Sequence, residues 1–393
     1  MSSPIKTCVL GVGLAGLTFH IPFVLALPEL FTLRAVLERS PQSPGGKLQA
    51  RFGPESANGV TIYNTLEAVL ADKEIELIIV GTPSETHYAI AKTCLEAGKH
   101  VLVDKPVTAT YAQAVELGAL AKSKKLVLYP YQNRRWDSDF FALKALLDLP
   151  PSDPKSLGNI FEFESRFDRF RSLLKGTWKD LPLPANGQTY DLGTHLIDQT
   201  LVLFGRPSKV TAHIENIRGI GSKELDDSFT IFLHYPAPLA KAPGSIPTSF
   251  TVILRGSILS VRVPQVRYVV RGTQGTFTKF GVDPQEDQLK VIQSPAEIVD
   301  PANAAYGQED ESIFGTLENF VTGSESDIVR STWPSTAKGD YASLFKDVAA
   351  AVRQGKEQAV KWKESAEVIE LIELAKQSAK EGRTLDVPPS SWA

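Results

Sequence analysis

Apolar and polar residues follow two different rhythms along this chain. Over the first 130 positions, short apolar runs alternate with helical spacing. Residues 5–12 (IKTCVLGV) read as a buried strand, 14–27 as a helix and 31–37 as a second strand. Pro22 falls inside that helical pattern and predicts a kink or a late helix start, because proline cannot donate a backbone hydrogen bond. Residues 40–46 (SPQSPGG) read as a loop, and 65–72 as a short helix capped by Thr65. The run ELIIV at 76–80 is too short and too apolar for anything but a buried parallel strand. A helix over 86–97 stopping at Gly98, a strand at 100–103, a helix at 111–124 and a strand at 126–131 complete the alternation. The pattern predicts a doubly wound parallel sheet for residues 1–131.

After residue 135 the rhythm changes. A helix near 137–149 and a Pro-rich link at 150–154 precede a strict alternation over 160–170 (IFEFESRFDRF). That alternation puts Phe161, Phe163, Ser165 and Phe167 on one face and Glu162, Glu164, Arg166 and Asp168 on the other. A helix over 190–204 is followed by strand-like runs (VTAHIEN, DSFTIFLHY, SFTVILRG, VRYVVRG), and the tail from 341 to 382 is helical, broken at Gly355. Strands arriving in succession predict a second α/β domain over 132–393, with an open, mostly antiparallel sheet covered by helices on one face. No internal repeat is visible.

Composition narrows the classes. The 393 residues are 42% hydrophobic and 22% charged, ordinary for a globular protein with sizeable cores, and the formal charge is −3. Without a basic excess, nucleic acid is not the expected partner. Two cysteines, Cys8 and Cys94, cannot frame a disulfide scaffold and fit a reducing, cytoplasmic setting. No run of 18 apolar residues occurs, so no membrane span is expected, and the start MSSPIKTCVLG lacks a signal-peptide core.

Candidate chemistry sits where the strands end. Gly11-Val12-Gly13-Leu14-Ala15-Gly16 is a G-x-G-x-x-G between the first strand and the first helix, the context that a dinucleotide fingerprint requires and that marks the fold as Rossmann-like. Gly11 permits the tight turn, Gly13 removes a side chain where a pyrophosphate approaches, and Gly16 lets helix and strand pack closely, with free N–H groups for the phosphates. The end of the second strand, where a ribose selector sits, reads Glu38-Arg39-Ser40, and its signals conflict. Glu38 turned inward predicts NAD; Glu38 turned to solvent leaves Arg39 and Ser40 for the 2′-phosphate of NADP. Two further loops follow strands: Thr82-Pro83, reaching His87, and Asp104-Lys105-Pro106. A partly desolvated Lys105 there could stabilise alkoxide charge; the blander reading is a surface lysine before a helix-starting proline. In the second half, Asp191 and His195 lie four apart on one helical face, an arrangement suited to general acid/base work or simply to a helix cap and an interior histidine. The remaining histidines show no metal-ligand spacing, so no metal is expected. No P-loop and no G-x-S-x-G elbow occurs.

Together these pieces resemble the Gfo/Idh/MocA family of NAD(P)-dependent sugar and polyol oxidoreductases: the three glycines, the Thr82-Pro83…His87 loop, Lys105-Pro106 and Asp191…His195, with Asp104 where the family usually has Glu. The stretches 132–140 (QNRRWDSDF), 166–170 (RFDRF), 189–199 (TYDLGTHLIDQ) and 284–287 (PQED) resemble the subgroup containing NADP-dependent scyllo-inositol 2-dehydrogenases. The resemblance spans nearly the whole chain. In that subgroup the second-strand loop reads like Ser-Arg-Thr, so Glu38 is a departure while Arg39 and Ser40 fit, and NADP is slightly favoured over NAD.

The resemblance implies a coenzyme site of Gly11, Gly13, Leu14, Ala15, Gly16, Glu38, Arg39, Ser40, Thr82, Pro83, His87, Asp104, Lys105 and Pro106. It implies a catalytic set of Lys105, Asp191 and His195, and substrate contacts from Asn133, Arg134, Arg166, Asp191 and His195. The implied substrate is a cyclic polyol or sugar, and the second domain is implied to form a homodimer or larger homo-oligomer. Two alternatives remain: a reductase of another sugar, anhydro-sugar or dihydrodiol carbonyl, which shares every motif, and a non-catalytic metabolite-sensing regulator, which should lack Lys105, Asp191 and His195.

Overall fold

The structure is a computed structural model, described here for residues 3–236, 247–321, 323–324 and 326–392. The chain divides into two compact units, and neither is continuous. Unit 1 comprises Met1–Trp136, Pro284–Gly307 and Asp340–Ala366; unit 2 comprises Asp137–Asp283, Gln308–Gly339 and Glu367–Ala393. Three segments assigned by pattern to the second domain, 132–136, 284–307 and 340–366, therefore pack with the first.

Unit 1 holds β1 (Ile5–Leu10), α1 (Ile21–Ala26), β2 (Phe31–Leu37), α2 (Gly46–Phe52), β3 (Thr61–Tyr63), α3 (Leu66–Ala71), β4 (Leu77–Val80), α4 (His87–Glu96), β5 (His100–Val103), α5 (Tyr111–Lys124) and β6 (Leu128–Pro130). All six strands are parallel, in the order β3-β2-β1-β4-β5-β6. The order reverses between β1 and β4, the switch point at which such sheets bind ligands beyond the strand ends. Every residue of β4 is buried, as expected of a strand covered on both faces. The first helical stretch does not begin as a regular α-helix. Gly16–His20 forms a π turn, and α1 starts only at Ile21 with Pro22 in its first turn, where its missing N–H costs nothing.

The later segments of unit 1 supply α8 (Gln285–Val291) and α9 (Tyr341–Gln354). Their apolar faces complete the core: Leu289, Phe345 and Val348 are buried with Phe23, Phe31 and Val36. The Phe23 and Phe345 rings stack 4.8 Å apart. Tyr129 donates to Asp347 at 2.8 Å, and Arg353 pairs with Glu76.

Unit 2 contains α6 (Ser138–Leu147), β7 (Ile160–Arg166), α7 (Thr194–Phe204), β8 (Lys209–Glu215), β9 (Ser228–Tyr235), β10 (Phe250–Ser257), β11 (Val266–Gly272), β12 (Gly275–Phe280), β13 (Gly315–Phe320), β14 (Ile328–Trp333) and β15 (Leu385–Asp386). The long helix α10 (Trp362–Glu381) starts in the last segment of unit 1. The nine strands run β14-β13-β12-β11-β7-β10-β9-β8-β15, and only the central pair β7–β10 is parallel. One face carries helices: Phe163 of β7 packs on Phe204 of α7, and Ala212 of β8 donates to Ser378 of α10. The other face presents Glu162, Glu164 and Arg166 on β7 with Arg255 on β10 and Arg271 on β11, linked by ion pairs. Among the described residues no helix is long and apolar enough to cross a membrane, and no cluster of three His, Cys, Asp or Glu could hold a metal ion. Cys8 and Cys94 are free and buried; burial pushes the Cys94 thiol up to about 12 and Cys8 higher still, so neither is a reactive thiolate.

Candidate active site

In unit 1 the glycine loop follows β1 at the switch point, and its three glycines do three different jobs. Gly11 has φ +95°, a left-handed conformation, and a Cβ there would lie 2.8 Å from Gly81 O. A Cβ on Gly16 would lie 2.0 Å from Gly11 O, so only glycine lets the π turn close on the loop. Around Gly13 nothing lies within 4 Å of where a Cβ would be, and Gly13 and Leu14 are exposed while Ala15 is half-buried. That open, side-chain-free position beside backbone N–H groups fits a pyrophosphate. A dinucleotide therefore fits the residues present.

The loop after β4 is braced by its own hydroxyls: Thr86 Oγ1 lies 2.7 Å from Thr82 Oγ1 and donates to Pro83 O. His87, buried, sits between two carbonyls, with Nε2 2.9 Å from Thr82 O and Nδ1 2.8 Å from Pro106 O. It ties the β4 loop to the β5 loop rather than presenting its ring to a ligand. Asp104 is a second tie. Its Oδ1 accepts from Lys105 N at 2.7 Å and its Oδ2 lies 3.2 Å from His20 Nε2. Burial opposes its charge, but the bond and charge of His20, with His87 and Lys105, hold its carboxyl below the usual range. Sequence spacing gave His20 no role; its position on the π turn, 84 residues from Asp104, explains why. Lys105 is half-exposed just past this tie, and the Lys105–Pro106 bond is cis.

Glu38 turns away from solvent, the inward of the two orientations the sequence left open. Oε2 accepts from Lys47 N at the start of α2, Oε1 is buried without a hydrogen-bond partner, and the residue is 4% exposed. Gly46, at φ +54°, makes this approach feasible, since a Cβ there would lie 2.2 Å from Oε2. Asn64 Nδ2 donates to Glu38 O and fixes the same corner. Arg39 and Ser40 are exposed beside it.

In unit 2, Asp191 and His195 lie on a π turn, Thr189–Gly193, running into α7, not on one regular helix. The turn is anchored by Asp226, whose Oδ2 accepts from both Thr189 N and Thr189 Oγ1. A Cβ on Gly187, at φ +102°, would lie 2.3 Å from Asp226 Oδ1, so glycine admits this anchor. Asp191 Oδ1 is 3.2 Å from Lys179 Nζ, a neighbour that spacing could not reveal. His195 is buried, as are Asp198 and Gln199 beyond it. One turn after His195, the Gln199 carbonyl receives Arg267 Nη2 at 2.8 Å and Tyr268 OH at 3.1 Å, which pins α7 to β11. Arg267 is 1% exposed and also donates to Asp139 at 2.8 Å. A π turn leading into a pinned helix holds two polar side chains at fixed places, as acid/base work needs.

Two expected substrate residues are committed elsewhere. Arg134, buried in unit 1, is paired with Glu286 of α8. Arg166 pairs with Glu164 on the helix-free face of the unit 2 sheet, opposite the face that α7 covers, because β-strand side chains alternate. Asn133 is buried on the short turn Asn133–Trp136.

Comparison with known proteins agrees with this geometry. Residues 5–132 match the family model described as "Oxidoreductase family, NAD-binding Rossmann fold", and 153–387 match "Oxidoreductase family, C-terminal alpha/beta domain". An uncharacterized oxidoreductase of Schizosaccharomyces pombe is 40% identical, covering 98% of this chain and 99% of its own. The scyllo-inositol 2-dehydrogenase (NADP(+)) IolW of Bacillus subtilis is 33% identical, covering 97% and 95%. The solved structure of a Yersinia pestis oxidoreductase superposes with a TM-score of 0.81 at 33% identity, covering 99% of each chain. The chain belongs to the Gfo/Idh/MocA oxidoreductase family, with an NAD(P)-binding Rossmann domain followed by the family's C-terminal α/β domain.

Proposed function

We propose that the protein interconverts a secondary hydroxyl and a ketone on a cyclic polyol or sugar of inositol-like shape, with NADP(H) as the preferred coenzyme. The supporting observation is the presence of Lys105, Asp191 and His195 at the family's catalytic motif positions, in a chain 33% identical over 381 residues to a scyllo-inositol 2-dehydrogenase. The bound nicotinamide supplies hydride-transfer chemistry at the substrate carbon. His195 takes the hydroxyl proton in oxidation and returns it in reduction. Lys105, at the family's motif position, is assigned the stabilisation of negative charge on a substrate oxygen. Asp191, beside Lys179, orients the polar end of the helix or bonds a neighbouring substrate hydroxyl.

The coenzyme preference is supported by Arg39 and Ser40, both exposed at the end of β2, and by the likeness to an NADP-dependent relative; Glu38, whose Oε2 is held by Lys47 N, is the competing signal for NAD. The helix-free face of the unit 2 sheet, with its crossed ion pairs, is the surface we assign to a homodimer, and the buried free thiols suit a cytoplasmic location.

The test is to follow coenzyme absorbance with a polyol panel for His195→Ala and Lys105→Met. Each variant is expected to lose about 10²–10⁴-fold in kcat while binding coenzyme normally. Wild-type turnover in both would overturn the assignment. Fluorescence titration should give tighter binding of NADPH than NADH; the reverse order would return Glu38 to the ribose.

A further inference from the structure

Beyond Asp191, unit 2 gathers a group of cations that the proposed reaction does not use. Arg169, Arg171, Lys175, Lys179 and Arg218 interact electrostatically with one another or with Asp191. Two are balanced: Lys179 by Asp191 at 3.2 Å, and Arg218 by Asp227 at 2.7 Å. Arg169, Arg171 and Lys175 make no ion pair with a carboxylate among the described residues, and Arg171 Nε is buried without a hydrogen-bond partner.

Asp180 and Asp191 offset part of this positive charge from nearby without pairing with Arg171 or Lys175, and each neighbouring acid has another partner. Asp180 accepts from Thr177 N, and Asp168 accepts from Ser257 N beside Arg166 and Arg255. Loss of hydration, followed by the charges of Arg218 and Arg169, lowers the Arg171 guanidinium from its ordinary value.

The cluster is held by backbone. Arg169 N donates to Ser257 O and Arg171 N to Ile258 O, extending β7 beside β10, while Ser260 N returns to Arg169 O. The following turn is fixed by the Thr177–Asp180 capping box, by Asn186 Nδ2 on two carbonyls, and by Arg218 Nη1 on Leu173 O. Assembling like charges on anchored backbone is unfavourable in the free protein and becomes favourable when an anion arrives. Guanidinium groups match carboxylate and phosphate oxygens in geometry as well as charge.

We propose that Arg169, Arg171 and Lys175 bind an anionic substituent of the substrate, so that the preferred substrate is an acidic sugar or polyol bearing a carboxylate or a phosphate. The inference rests on the proposed dehydrogenase reading for its substrate, but binding can be measured without turnover. The protein without coenzyme is titrated calorimetrically with D-glucuronate, D-glucose 6-phosphate and neutral myo-inositol, at low and high salt. At least one anionic probe should bind tenfold or more tightly than the neutral one, and which of the two does so separates carboxylate from phosphate. That preference should fall at least tenfold in Arg171→Ala/Lys175→Ala and shrink with salt; Lys175→Ala alone, at an exposed position, guards against misfolding. Equal affinity for all three probes, or a preference untouched by the substitutions, overturns the proposal. A tenfold loss of NADPH affinity in the double variant would assign the cluster to coenzyme and overturn it too. Anion binding without oxidation of any polyol would leave the cluster intact and sink the dehydrogenase reading instead.

Discussion

The switch point of unit 1 and the helix start of unit 2 solve the same problem with opposite materials. Both use a π turn, Gly16–His20 in one and Thr189–Gly193 in the other. At the first, the site is made by leaving side chains out: Gly11, Gly13 and Gly16 expose backbone N–H groups, and buried ties such as His20–Asp104 and His87 hold the loops from behind. At the second, the site is made of side chains, and the supports are buried polar groups: Asp226 under the turn and the Arg267–Gln199–Tyr268 knot under the helix. A backbone site is specified by short spacing, whereas a side-chain site needs partners drawn from distant strands.

The contrast can be broken by substitution, and the largest effect is expected at Gly16. Gly16→Ala drives a methyl to 2.0 Å from Gly11 O, in a contact between backbones that cannot yield cheaply. We expect a loss of about 3 kcal/mol or more in stability by thermal or denaturant melting, with coenzyme binding lost alongside. Gly13→Ala is its control: with open space around the new methyl, stability should stay within about 0.5 kcal/mol. NADPH affinity should nevertheless fall tenfold or more. If both variants melt alike, the assignment of different jobs to the two glycines is wrong.

In unit 2 the middle-sized effect is expected at the knot. Gln199→Met keeps the volume but strips the acceptor from a buried guanidinium and a buried phenol, at a cost of about 2–3 kcal/mol. A melting temperature equal to wild type would show that the knot does not hold α7.

The smallest effect is a pH dependence at Asp104. Its folded carboxyl titrates below the unfolded value of about 3.9, so its charged form favours the native state. That contribution is complete above the unfolded value and disappears as pH falls through the folded one. The melting-temperature gap between wild type and Asp104→Asn should therefore be constant from neutral pH to about 5 and narrow below 4. A gap that widens in acid would reverse the sign assigned here.

Much of unit 1 was legible in the sequence because its signals are local. The ELIIV run, the glycine spacing and the strand–helix alternation each decide their own neighbourhood. Pro22 announced a kink or a late start in the first helix, and α1 begins at Ile21 after a π turn. The succession of strands after residue 205 likewise declared an open sheet. What stayed hidden was non-local. Phe345 on α9 reads as one more amphipathic position, and nothing near it says that Phe23 is its partner. Lys179 and Arg171 sit in an irregular segment with no period to read. Arg166 was placed correctly on its strand face, but sequence could not say which face α7 would cover. The orientation of Glu38 stayed open for a related reason: its partner, Lys47 N at the start of α2, is a backbone group, and backbone groups carry no letter in a sequence.

The return of α8 and α9 to the first core has a consequence for biosynthesis. Phe31 is made roughly 300 residues before Phe345, the ring that covers it. At typical translation rates of about 5–20 residues per second, that apolar face waits roughly 15–60 s for its cover. The nascent six-stranded sheet is thus a client for chaperones throughout elongation, and early termination would leave a half-clad, aggregation-prone intermediate instead of a free-standing domain.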